Sequence, residues 1–383
     1  MTRMTARSID EAHRTSSPLE LLFDLTFVVA VAAVTAELAH SIADGHVEVV
    51  GFLQVFFSIW WAWMNFTWFA SSYDTDDVLY RVLTMVQMAG VLVLAAGVPA
   101  AAASGDYRTV LIGYLIMRAG LVVQWLRAAY ENPAGRSTAL KYAVGIAAAQ
   151  VGWLLALVLA DLALPWFVLL VAVELAVPRW AERGPQTTWH PHHIAERYGL
   201  FAIILLGESV LAASRGVQAA VASDHVSASF LLVAGAGLVL LFALWWLYFL
   251  HPSGDGLRDR REHSYGWGYG HFFLFAALAA LGSGLEVAVE ETTHAPQSVG
   301  YAVALPVAVF LTMLWLVHAP IVNPPVTPLI FVLISVAVVL ALPLVLSAVG
   351  VVVGCAAVVV LLVGAVLVRQ PARSSPGVTS PHS

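Results

Sequence analysis

Long runs of apolar residues, separated by short polar breaks, recur along the whole chain. Each run can cross the roughly 30 Å hydrocarbon core of a bilayer. Twelve are read, near 19–42, 47–71, 79–102, 108–129, 139–160, 163–181, 192–214, 227–250, 265–289, 297–318, 326–347 and 349–368. Each predicts a helix, because a backbone in lipid must satisfy its own hydrogen bonds. The sixth is short, and only the break at Ser347 to Gly350 separates the last two. The fold class expected is therefore an all-α integral membrane protein of about twelve transmembrane helices. The connections are too short for a soluble core. The expected organisation is an N-terminal tail (1–18), a first six-helix half (19–181), a second six-helix half (192–368) and a C-terminal tail (369–383). Both tails are polar and read as disordered.

Composition agrees with this class: 60% of residues are hydrophobic and 11% charged, with a mean hydropathy of +0.84. Such a chain has the bilayer as its first partner, and nothing in it suggests nucleic acid. Cytoplasmic loops retain Lys and Arg. With the N-terminus inside, fifteen of the eighteen basic residues fall on the cytoplasmic side, Arg108 and Arg215 fall outside, and Arg118 lies within the fourth run. Both termini are accordingly expected in the cytoplasm. The single cysteine, Cys355, precludes an intramolecular disulfide. The first run reads as a retained span, since Glu20 and Asp24 interrupt it and no small-residue cleavage site follows.

An offset of 185 positions superposes Phe57 on Phe242, Trp60-Trp61 on Trp245-Trp246, Asp74 on Asp259, Asp77 on Glu262 and His40 on His225, without a gap. Duplication explains this, with shared membrane composition as the alternative. Six spans per half would make the halves parallel repeats about an axis along the membrane normal.

The chemistry must then lie in the intramembrane charges, which are costly in hydrocarbon and default to functional candidates. Glu20 and Asp24, four apart on one helical face, occupy the cytoplasmic part of the first span. Glu20 is the nearer to the cytoplasm and the better hydrated of the two. Arg118 lies mid-way in the fourth span, Glu174 in the inner half of the sixth and Glu208 deep in the seventh. Arg118 is expected to pair with Glu208 or Glu174. One guanidinium cannot neutralise four acids, so the others are protonated or face water, unless they reach the interface and the pair is structural.

Weaker patterns surround these. His193, Glu196 and Arg197 open the seventh span and read as a cytoplasmic mouth or polar helix start. His192 and His193 share a face with Glu196, but two or three ligands on one helix do not complete a metal site. No metal or cofactor is expected. Glu37 and His40 form an outer pair that could accept protons or simply decorate the interface. Trp60, Trp61, Trp63 and Trp68 are dense enough to line a cavity, or belong to the interfacial belt. Gly350 and Gly354 have the spacing of a helix contact.

The segment Leu19 to Ala32 resembles the opening signature of the low temperature requirement A family of bacterial multi-pass membrane proteins. The resemblance continues in Tyr73-Asp-Thr-Asp-Asp77 and above all in His193-Ile-Ala-Glu-Arg-Tyr-Gly-Leu-Phe-Ala-Ile-Ile-Leu-Leu-Gly-Glu-Ser209. Leu22 and Thr26 depart from the pattern, where a second aromatic and an aliphatic are usual. The resemblance implies a bacterial cell (plasma) membrane location and a role in growth in the cold, with no settled activity. Read with the repeat and the carboxylates, the chain is expected to be a transporter or ion pathway for a small solute, proton-coupled through Glu20, Asp24, Glu174 and Glu208, with Arg118 as counter-ion or anion ligand. An intramembrane enzyme acting on a lipid-like substrate and a structural or regulatory membrane protein are the alternatives.

Overall fold

The computed structural model of the chain describes residues 2–9, 11, 14–45, 47–159, 163–222, 227–251, 253–290 and 297–369. Within them lie thirteen α-helices: α1 (Pro18–Ala43), α2 (Val49–Tyr73), α3 (Val78–Ser104), α4 (Arg108–Glu131), α5 (Arg136–Leu159), α6 (Leu164–Ala181), α7 (Pro191–Ala222), α8 (Ala228–Phe249), the short α9 (Gly254–Asp259), α10 (Ser264–Glu290), α11 (Gln297–His318), α12 (Leu329–Val345) and α13 (Ala348–Arg369). Ten of them are long and apolar enough to cross a membrane. The other two long helices are α7, which carries buried charges, and α12, which has 17 residues.

Local signals explain the boundaries. Ser17 caps α1 in a reciprocal box: its hydroxyl accepts from the Glu20 backbone N–H, while the Glu20 carboxylate accepts from the Ser17 N–H. Asp77 caps α3 by accepting from the Tyr80 N–H at 3.0 Å, and Ser227 caps α8 in the same way. Gly105 ends α3 at φ +68°, a left-handed position that favours glycine.

The most extensive helix pairings are α3 with α4 and α10 with α11, followed by α7 with α10, α4 with α5, and α1 with α3. Small residues bring the first pair together: a Cβ on Gly113 would lie 2.3 Å from the Leu94 backbone nitrogen, and one on Gly97 2.6 Å from that of Val110. Gly354 meets Leu342 of α12, as the spacing of Gly350 and Gly354 anticipates. Helix α2 lies at the centre, against α1, α4, α7 and α10. Trp60, Trp61 and Trp63 are accordingly core residues, each at most 1% exposed. Of the four tryptophans on this helix, Trp68 lines a cavity. By contrast α8 turns Trp245 and Trp246 outward, about half exposed.

The N-terminal segment departs from the disordered tail expected of it. The Arg7 N–H donates to the Ser72 carbonyl at 2.9 Å, Arg14 donates to the Ala70 carbonyl at 2.9 Å, and Met4 is fully buried. The segment brings donors to carbonyls in the last turn of α2: that of Ser72 takes the Arg7 N–H, and that of Ala70, already accepting from the Asp74 N–H, takes Arg14 as a second donor. The C-terminal tail from 370 onward, like His225 of the repeat comparison, lies outside the described residues.

This docking buries Asp74, 3.5 Å from Arg7 and 3.9 Å from Arg14. Burial, with the charge of Glu20 as the next cause, pushes the Asp74 carboxyl up to about 6 despite both guanidiniums. A carboxyl raised in the folded state binds its proton more tightly there than in the unfolded chain. Its charge therefore opposes folding above that pKa, and the cost vanishes below the ordinary carboxylate value. Asp74→Asn should raise the melting temperature in detergent at pH 7, an effect of up to about 3 kcal/mol, with the gain fading as the pH falls toward 4. A lower melting temperature at pH 7 would instead make the ion pairs with Arg7 and Arg14 dominant.

Candidate functional site

The charges of α1 meet a single guanidinium from α7. Arg197 grips Asp24 with two hydrogen bonds, Nε to Oδ2 at 2.8 Å and Nη2 to Oδ1 at 2.6 Å. Its Nη1 donates to Glu20 Oε1 at 2.8 Å. The geometry is the planar fork for which guanidinium is suited and ammonium is not. Trp63 of α2 donates its indole N–H to Asp24 Oδ1 at 2.7 Å. His193, one turn before Arg197, places Nε2 3.1 Å from Glu20 Oε1, but off the line of a hydrogen bond. Glu20, Asp24, His193 and Arg197 are all at most 2% exposed.

Three sequence expectations are thereby corrected. Glu20 is as dry as Asp24, because the capping box and α7 cover it. Arg197 is not an exposed residue at a helix start but is fully buried against both acids. Arg118 is thus not alone in neutralising the acids. Glu196, on the outer side of the same turn, accepts only the Ser16 N–H at 3.3 Å. His192 pairs with Asp255 at 3.4 Å, and no metal-holding group of three or more His, Cys, Asp or Glu occurs among the described residues.

A second centre is built by α2, α4, α5 and α6. Arg118 Nη2 donates to Glu174 Oε2 at 2.7 Å, settling the choice between Glu174 and Glu208. Trp61 also donates to Oε2, at 3.0 Å. Oε1 receives the Tyr114 hydroxyl at 2.8 Å, the Gln150 amide at 3.0 Å and the Trp153 indole at 3.2 Å. Five donors from α2, α4 and α5 thus converge on one α6 carboxylate. Such a shell replaces hydration and holds the ion in place. Arg118 is less well served: its Nε and Nη1 have no hydrogen-bond partner among the described residues.

Glu208 joins neither centre. It lies 3.5 Å from Arg215, one turn pair further along α7, which also reaches Glu286 of α10 at 3.1 Å. Arg215 was assigned to an outer loop, yet α7 continues through it to Ala222.

A histidine cluster escaped sequence reading, since its members lie on three separate elements. His251, His271 and His318 each direct Nδ1 at the carbonyl four residues earlier, at 2.7–2.9 Å. The other nitrogens meet the hydroxyls of Thr327, Tyr248 and Ser253. The lone residues carry no pattern; only the recurring i−4 carbonyl contact is a local signal, and it is conformational.

Cavities flank the clamp without reaching it. One of about 350 Å³ lies near the α6–α7 connection and the start of α10. Another, of about 600 Å³, contains Glu37, His40, Asp44 and Glu48 at the opposite end.

The model of the bacterial low temperature requirement A proteins matches residues 15–366. The chain belongs to this family. An uncharacterized protein of Rhizobium meliloti (strain 1021) is 26% identical over 287 residues, which cover 68% of this chain and 66% of the relative, just under two thirds of its length. No solved structure matches. All the residues of both centres fall within the segment matched to the low temperature requirement A family.

For this family member the Arg118–Glu174 centre makes a sharp prediction. Arg118→Leu leaves a carboxylate in the core with no cation, a loss of about 3–5 kcal/mol. Adding Glu174→Gln should recover much of it, so the double variant melts above the single one in detergent. Additive losses in this cycle would remove the pair as an energetic unit.

Proposed function

We propose that this low temperature requirement A protein is a proton-coupled transporter or ion pathway for a small solute, built from two six-helix halves with both termini in the cytoplasm, and that Arg197 with Glu20 and Asp24 forms its gate. The observation that carries the reading is where the clamp lies. Its carboxylates belong to the first helix of one half and its guanidinium to the first helix of the other. Opening between halves requires that these charges separate. A proton on Asp24 removes half of the negative charge facing Arg197 and weakens the grip in a dry site where charge attraction is strong. Proton uptake and gate opening are thus the same event.

The packing order supports two equivalent halves. Helix α1 packs on α3, α3 on α4, α4 on α5 and α5 on α6; α7 packs on α10, α10 on α11, α11 on α12 and α12 on α13. The distribution of basic residues supports the orientation.

In proteoliposomes carrying a pH-sensitive dye, the protein should show proton movement driven by one member of a solute and ion panel. Asp24→Asn should abolish that movement at an unchanged melting temperature, because the amide keeps the volume but does not titrate. Glu20→Gln should reduce it and shift its pH dependence. The complete sealing of both carboxylates favours a second reading, a purely structural clamp. In that case Asp24→Asn lowers stability and any flux in proportion.

Topology is tested separately. In a Cys355→Ala background, Ser227→Cys should react with an impermeant maleimide from outside intact cells, and Glu262→Cys only after permeabilisation. Reversed accessibility would refute the orientation.

A further inference from the structure

The smaller cavity, of about 350 Å³, has walls of aromatic rings: Trp68 of α2, Trp125 of α4, Tyr142 of α5, Trp189 before α7, and Tyr265 and Tyr269 of α10. It draws on both halves. Its volume lies in the range of small-molecule sites, which are mostly apolar with a few placed polar groups.

Two cations are mounted on these walls. The Arg261 guanidinium lies 3.8 Å from the centre of the Trp189 ring, and both its Nη atoms point at the Trp189 carbonyl, at 3.3 and 3.4 Å. The Arg179 guanidinium lies 5.3 Å from the centre of the Tyr265 ring. Among the described residues, no carboxylate lies within ion-pair distance of either. That contrasts with Arg118 and Arg197, which are each matched to acids.

The acids of the cavity do not pair directly with them. Glu262 is 71% exposed at the rim. Glu182 accepts the Tyr142 hydroxyl at 2.9 Å and the Thr187 hydroxyl at 2.5 Å; burial pushes its carboxyl above the ordinary range, against the opposing pull of these hydrogen bonds and of the Arg261 charge. The cavity thus presents flat π surfaces and two guanidiniums that, among the described residues, no carboxylate pairs at close range.

We infer that this cavity binds a small planar aromatic anion of the arene carboxylate class, its ring between the tryptophan and tyrosine walls and its carboxylate against Arg179 and Arg261. Ring faces and edges supply aromatic contacts, and guanidinium is the natural partner of a carboxylate. As the substrate class of the transporter, this rests on the transport reading; as a binding site, it does not.

Three probes of nearly equal shape separate charge from ring: 2-naphthoate, 2-naphthylmethanol and 2-naphthylmethylammonium. In calorimetric titrations of the full chain in nanodiscs at pH 7, naphthoate should bind at least tenfold more tightly than the other two. Arg179→Gln with Arg261→Gln should remove that tenfold preference while leaving the weak binding of the alcohol unchanged. The alcohol also reports whether the variant cavity is intact, and Arg261→Lys should retain part of the preference. Equal binding of the three probes, a preference for the ammonium, or naphthoate binding indifferent to both arginines overturns the assignment. Arginine-dependent binding without naphthoate counterflow in proteoliposomes upholds the site and removes the transport reading. Flux of other solutes without naphthoate binding upholds transport and removes this site.

Discussion

The architecture depends on one fact of electrostatics: charge removed from water must be matched at close range. Two acids on α1 and one arginine on α7 meet this condition only together. The excess negative charge is tempered by the Trp63 indole and the Ser17 backbone N–H, so each carboxylate oxygen receives a donor. Removing Arg197 leaves both carboxylates in a medium that cannot solvate them. Helices α1, α2 and α7 are thereby fixed in rotation and depth, which apolar side chains against lipid do not specify.

The second centre solves the same problem differently. Glu174 is surrounded mainly by neutral donors and has a single cation. A shell of dipoles stabilises a negative ion whatever its partner does, whereas a clamp of opposed charges depends on it. Of the two, only the clamp joins helices far apart in the chain, α1 and α7. The Glu174 shell binds α2, α4, α5 and α6 into one body.

Much of the fold was legible in the sequence because lipid imposes a simple length rule, and helix ends follow Ser17, Asp77, Gly105 and Ser227. Glu20, Asp24, Arg118 and Glu174 were legible as well, since a charge amid apolar residues stands out in one dimension. Their partners were not. Arg197 begins a helix beside His193 and Glu196, and by position alone it looks like an interfacial residue. What makes it central is α1 packing its two acids against it, a tertiary effect with no local trace. The docking of Arg7 and Arg14 was hidden for the same reason: a polar segment reads as solvated until the carbonyls it will cover are known. The aromatic cavity draws walls from five separate stretches of chain, so no local spacing announces it.

The glycine seam between α3 and α4 has a mechanical consequence. At Gly90, Gly97 and Gly113 the two backbones nearly touch, and no side chain acts as a cushion. Sliding or rotating one helix against the other would drive main chain into main chain. The pair therefore behaves as a single stiff beam. Any rearrangement of this protein must bend elsewhere than along this seam.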